Sequence, residues 1–256
     1  MKTLTMPAPA AGAESKNVHE VTGRLFNKDP GLGFGDVKQG ALANCPIAAI
    51  LAAMAYTASG RSRIQGMIKE TKETVETDVA KVAGKLDSPP KDNKITSQRY
   101  FTVSLGGTFE VSDVFYTNDA DRNWSLIYMQ SPTKALWPCV IEKAYAAKVK
   151  SYEELDSQTR TANEFWKVLV GSEPDGIEVN DDTDVSTIRK IAAVAHKIPT
   201  IGASRDDAHE VEPWHGYAVL GVEGKNIKLY NPWAARTTIS IPTFRRNFKA
   251  ILRGKL

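Results

Sequence analysis

An α+β fold is predicted, and three observations predict it. Apolar residues gather in helix-like runs over the first two thirds of the chain, as in Ile47–Tyr56 and Cys139–Lys148. The last third carries short alternating runs at Ile198–Gly202, His215–Val222, Ile227–Tyr230 and Thr237–Ile241, the period of half-buried strands. A length of 256 residues suffices for one large domain or two smaller lobes with a real core.

Taken in order, residues 1–20 are expected to form a flexible leader, being rich in Ala and Pro without the apolar run of a signal peptide. A first lobe is expected over 21–172. It holds a helix opened by Pro46, which fits the first turn because its missing N–H costs nothing there. A second helix is predicted from about Arg63 to Leu86, where Ile64, Met67, Ile68, Val75, Val79, Val82 and Leu86 fall near helical spacing. Tyr100–Tyr116 reads as strands about a Gly106-Gly107 turn, and Trp137-Pro138 opens the next helix. The Gly-, Pro- and acid-rich stretch Gly171–Gly176 is expected to be the lobe boundary. Over 173–256 a β-rich lobe is expected, with one helix capped by Ser186 and ending before Pro199.

The composition excludes several classes. A net charge of +3 is too weak to argue for nucleic acid or an anionic membrane, and no apolar stretch reaches the length of a span. Two cysteines rule out a disulfide scaffold and favour a reducing, cytoplasmic setting. The spacings of four histidines and two cysteines make no zinc site. Asn118–Asn123 alternates oxygen ligands but lacks the glycine and terminal glutamate of a calcium loop, so a polar turn is favoured. Gly31, Gly33 and Gly35 miss the dinucleotide spacing at Asp36. No metal or cofactor is expected.

Two distant runs fit one chemistry. Gln39-Gly40-Ala41-Leu42-Ala43-Asn44-Cys45-Pro46 places a cysteine at a helix N-terminus, where unsatisfied N–H groups and the macrodipole favour a thiolate. His215-Gly216-Tyr217-Ala218-Val219 supplies a base for that thiol, and Asn231-Pro232-Trp233 an orienting amide. His215 and Asn231 lie eight residues either side of Glu223, so a hairpin turning at Glu223–Asn226 would bring them together, within a residue or two of register. Trp233 is expected to shield that hydrogen bond. Gln39 is the expected oxyanion donor, together with the backbone N–H of Cys45. His209, in a charged loop, is the rival base; Cys139, inside an amphipathic helix, reads as structural.

These runs resemble the calpain family of papain-like cysteine peptidases. Gln39 to Cys45 is similar to the family's Gln-Gly-x-Leu-Gly-Asp-Cys, and Leu136 to Ala146 to its Leu-Trp-Pro-x-x-x-Glu-Lys-Ala-Tyr-Ala helix. His215-x-Tyr217-x-Val219, Asn231-Pro232-Trp233 and the Phe244–Phe248 segment also match, so the resemblance spans about Gly31 to Ile251. It implies a two-lobed core, cysteine and glutamine on a helical lobe, histidine and asparagine on an antiparallel β lobe. It also implies an endopeptidase acting on protein or peptide substrates. Calcium activation is a family property for which no ligand motif is found here. Pro46, Asn44 and Ala234 stand where the family has Trp, Asp and Gly. A bare core further suggests a bacterial effector or toxin, delivered into a target cytoplasm and restrained by an inhibitor or immunity protein. The alternatives are an acyl transferase or deamidase using the same thioester, and an inactive peptide-binding scaffold.

Overall fold

The computed structural model describes residues 1–11, 17–29, 31–118, 126–156 and 158–254. The sequence features at Asn118–Asn123 and the glycosylation-like Asn123-Trp124-Ser125 fall almost wholly outside these residues. Its secondary structure is mixed α+β, as expected.

In chain order the elements are β1 (Lys2–Thr5), β2 (Asn17–Glu20), α1 (Cys45–Tyr56), α2 (Ala58–Met67), β3 (Ile68–Thr71), β4 (Val75–Asp78) and β5 (Lys94–Ser97). Then come β6 (Tyr100–Ser104), β7 (Thr108–Ser112), β8 (Val114–Thr117), α3 (Trp137–Val149), α4 (Glu153–Asp156) and α5 (Gln158–Val170). The chain continues through β9 (Asp175–Glu178), α6 (Val185–Ala193), β10 (Thr200–Ser204), β11 (Gly216–Glu223) and β12 (Asn226–Asn231). It closes with β13 (Ala235–Ser240), α7 (Ile241–Asn247) and β14 (Phe248–Arg253).

Two compact units form, each from discontinuous segments. The first comprises Met1–Gly31, Gln39–Ala43 and Gln65–Ser157; the second comprises Leu32–Lys38, Asn44–Ile64 and Gln158–Leu256. This corrects the expected division at residue 172. Gly171 is where α5 ends, at φ +86, and a Cβ there would stand 2.9 Å from the Arg63 guanidinium of the same unit. The glycine- and proline-rich composition there marks a helix C-terminus rather than a linker. Helix α1, which begins at Cys45, accordingly belongs with the β-rich unit.

In the first unit, β1 pairs parallel with β4, and β2 antiparallel with β8. The stretch expected to be a leader thus contains two paired strands, and Leu4 is buried in the first of them. The long helix expected to reach Leu86 ends at Met67. Beyond it β3 and β4 form because β-branched residues predominate and Val75 and Thr77 alternate inward, a period of two. β3, β6 and β7 make an antiparallel sheet against which α3 packs.

Lys143 of α3 is fully buried and donates to the Ser112 carbonyl at 3.0 Å, to Ser112 Oγ at 3.2 Å and to the Val114 carbonyl. Burial pushes its pKa down to about 7, with Asp113 pulling the other way. Unfolded lysine titrates at 10.5, so between these values the native state holds fewer protons than the unfolded chain. Stability contributed by this group therefore rises with pH above 7, by at most about 1.4 kcal/mol per unit. Urea midpoints at pH 7 and pH 9 are expected to show that slope in the wild type and to lose it in Lys143→Met.

In the second unit, six antiparallel strands order as β13-β12-β11-β10-β14-β9. Val219, Ile227, Leu229, Phe244, Phe248 and Ile251 form its core with Ile188 and Ile191 of α6. α6 begins at Val185 and is capped by Asp184, whose carboxylate accepts from the Ser186 N–H at 3.0 Å; Ser186 is inside the helix, not its cap. α1 packs on β10 and β11 and is buried from Ile47 to Ala55, as its continuous apolar run demands. Among the described residues no helix is long and apolar enough to cross a membrane.

Candidate active site

Cys45 is the first residue of α1, and Pro46 follows in the first turn. The Asn44 carbonyl accepts from the N–H groups of Ile47 and Ala48, which starts the helix at Cys45. The thiol is buried (4 % exposed) and its Sγ lies 3.9 Å from the carbonyl oxygen of Trp214, the residue before His215. Burial pushes the thiol pKa up, while the backbone N–H groups of Gly216 and of Cys45 itself pull it down.

The approach of α1 to β11 depends on Gly216. A Cβ there would stand 3.1 Å from Pro46 Cα and 3.3 Å from the Cys45 carbonyl oxygen, both backbone atoms. A side chain there would push the helix end and the strand start apart by a few tenths of an ångström.

His215 is buried and held by its own backbone. Its N–H donates to Ser204 Oγ at 2.8 Å, and its carbonyl accepts from the Ser204 N–H at 2.9 Å. Its ring packs edge-on to Tyr217 at 5.0 Å and beneath Trp233 at 4.7 Å. Nε2 lies 2.9 Å from Asn231 Oδ1. That same oxygen accepts from the Trp233 N–H at 3.0 Å, in a turn across Pro232. A backbone N–H can donate only to the amide oxygen, so the orientation of Asn231 is fixed. Nε2 must then carry the proton it donates, and Nδ1 is left as the basic nitrogen. Burial lowers the His215 pKa below 6.5, against the opposing effects of Asn231 and Glu212. Burial thus works against charge on both the thiol and the imidazole.

The meeting of His215 and Asn231 rests on a bulge. Nearest the turn, Val222 pairs with Ile227 and Glu223 with Asn226; past Gly221 the pairing slips, so that Ala218 faces Tyr230 and Val219 faces Leu229. Continued without the slip, the hairpin would put Asn231 opposite Ala218, on the wrong face. With it, Asn231 falls opposite Tyr217 and shares a face with His215. The observed register differs by two residues from direct opposition of His215 and Asn231, which preserves the face.

The structure thus brings His215, Asn231 and Trp233 together and sets Cys45 against the backbone that carries His215. Gln39 lies in the first unit. Its Nε2 donates to the Leu42 carbonyl at 2.6 Å, leaving one N–H on that amide. His209 is exposed, and its backbone N–H donates to Asn247 Oδ1. Cys139 is wholly buried, with its pKa pushed well up by burial. Among the described residues no three His, Cys, Asp or Glu side chains gather as a metal site.

Sequence reasoning missed Gly216, Ser204 and Trp214. Gly216 beside a candidate base was a legible sign of close backbone approach. Ser204 was lost because the expected strand stopped at Gly202, whereas β10 runs to Ser204. Nothing in the sequence marked Trp214, which adopts φ +52.

Gly221 sits at φ +115, so Gly221→Ala is expected to cost about 1–3 kcal/mol in urea unfolding. It should also lower catalytic rate by displacing Asn231, whereas a mere stability effect would leave kcat per folded molecule unchanged. Ala234 occupies the left-handed region at φ +69, which accounts for glycine at this place in the resemblance. Ala234→Gly is expected to raise stability by up to about 1 kcal/mol, read from the same unfolding curves.

No curated protein matches the chain. The family model described as calpain family cysteine protease matches residues 16–239, most of the chain. The chain belongs to the calpain family of cysteine proteases.

Proposed function

We propose that this chain is a cysteine endopeptidase in which Cys45 is the nucleophile, His215 the base and Asn231 the residue that orients it. The observation that carries the reading is the Nε2–Oδ1 contact of 2.9 Å. Because it commits the Nε2 proton to Asn231, Nδ1 is free to take the thiol proton. In this reading Cys45 must leave the Trp214 carbonyl, pass its proton to Nδ1 and attack the peptide carbonyl. The tetrahedral oxyanion is received by the Cys45 N–H, and Gln39 is the further donor that the sequence motif leads us to propose. His215 then protonates the leaving amine, and water, activated by the same Nδ1, resolves the thioester. Trp233 over the imidazole excludes water from the His–Asn hydrogen bond.

Two free cysteines suit a reducing compartment such as a cytoplasm. There the substrates would be proteins or peptides. A protease of this kind, acting as a delivered effector or toxin, needs restraint in the cell that makes it, and an inhibitor protein covering Cys45 would supply that.

The test is intact mass after iodoacetamide, across pH. Wild type is expected to label once and rapidly, with a reactivity limb falling below about pH 6.5 as His215 takes its proton; burial puts that limb under the ordinary histidine value. Cys45→Ala should lose the label. His215→Ala should react only at pH values above the ordinary thiol range, since burial raises the Cys45 pKa. Identical profiles for wild type and His215→Ala would sink the catalytic reading and favour the peptide-binding scaffold. Gln39→Ala is expected to lower kcat by about 10²–10³-fold on a cleavable protein while iodoacetamide labelling persists. Ammonia release or crosslinking without chain cleavage would instead identify a deamidase or transferase.

A further inference from the structure

Beside Cys45 and His215 the second unit holds a cavity of about 170 Å³. Its walls are mainly apolar: Pro46 and Ile50 of α1, Trp166 of α5, Ile201 of β10, Leu252 of β14, and Trp214. Two small residues, Gly202 and Ala203, also line it, and so do His215 and Gly216. It therefore reaches His215, the proposed base, and Pro46, the residue that follows Cys45.

Trp214 is the unusual member. It is 65 % exposed, although large apolar side chains are otherwise exposed among the described residues only at Met1 and Trp233. Its backbone holds φ +52, a conformation that bulky residues rarely adopt. The strain is maintained by its N–H, which donates to the Arg205 carbonyl at 3.0 Å, and by the Lys249 ammonium 4.2 Å above its ring. A costly backbone with an exposed indole next to a reacting histidine marks function more often than packing. Pro46 contributes from the other wall. Tryptophan occupies its place in the family resemblance, and the smaller proline leaves space where an indole would stand.

We infer that Trp214 is a specificity-determining residue which, with Pro46, selects an aromatic side chain of the peptide substrate and seats its ring in this cavity. The inference rests on the peptidase reading above. Size supports it, because an apolar cavity of about 150 Å³ holds a benzene ring. Charge supports it too. Lys249 is the one charged side chain among the described lining residues and it is cationic, so lysine and arginine of a substrate find repulsion and no counter-ion. Indole walls favour a ring over an aliphatic group of similar volume through edge-to-face contact.

The probes are dipeptidyl fluoromethyl ketones carrying Phe, Leu, Lys or Gly at either of two positions, with iodoacetamide as the side-chain-free reference. Labelling of the thiol, read by intact mass, is expected to be at least about tenfold faster with Phe than with Gly or Lys at one position, and faster with Phe than with Leu. Trp214→Gly, which suits φ +52 and so preserves the fold, should reduce that Phe-to-Gly ratio several-fold. Ala203→Leu, which fills the cavity from β10, should do the same. Normal iodoacetamide reactivity with equal rates for the four ketones, or an unchanged ratio in Trp214→Gly, overturns the specificity assignment and leaves the peptidase reading standing. Labelling no faster than an ordinary thiol by every reagent overturns both.

Discussion

The second unit depends on one close approach: the N-terminus of α1 lies against the first residue of β11 with no side chain between them. Gly216 makes this possible, and a single methyl there would crowd the Cys45 and Pro46 backbone at 3.1–3.3 Å. The contact does two things at once. It sets the buried thiol beside the Gly216 N–H, which favours the anion, and it fixes how far Cys45 stands from the strand that begins after His215. Electrostatics and geometry are supplied by the same absence of a side chain.

The remaining parts hang on the β11–β12 hairpin. A strand can present a residue to only two faces, so the choice of face for Asn231 is all-or-none. The Gly221 bulge makes that choice, and the turn across Pro232 locks the amide so that the imidazole has one tautomer. Burial opposes charge on both Cys45 and His215, while the Gly216 N–H favours it on the thiol and Asn231 on the imidazole.

What could be read from residues alone follows from how local each signal is. The cysteine at a helix start, the His–Asn spacing and the Trp137-Pro138 helix were legible because each is carried by neighbours within one element. The strands β9 and β14 were missed, since they pair with distant segments and alternate weakly. The supposed helix from Arg63 to Leu86 failed where β-branched residues took a sheet register instead. The division into units was illegible for a deeper reason. Composition marks turns, and the Gly171–Gly176 stretch is one, whereas membership in a unit is decided by what α1 packs against more than a hundred residues away.

That interleaving has a kinetic meaning. Residues Leu32–Lys38 and Asn44–Ile64 are made early, but the sheet they pack on is drawn from Gln158–Leu256. On a ribosome Cys45 is therefore made long before His215 exists, with Gln65–Ser157 of the first unit synthesised in between. Neither piece of a chain cut just before Gln158 or at Gly171–Gly176 carries Cys45 and His215 together. The order of synthesis thus leaves Cys45 without His215 in any chain of this calpain-family protein that is interrupted before His215 is made.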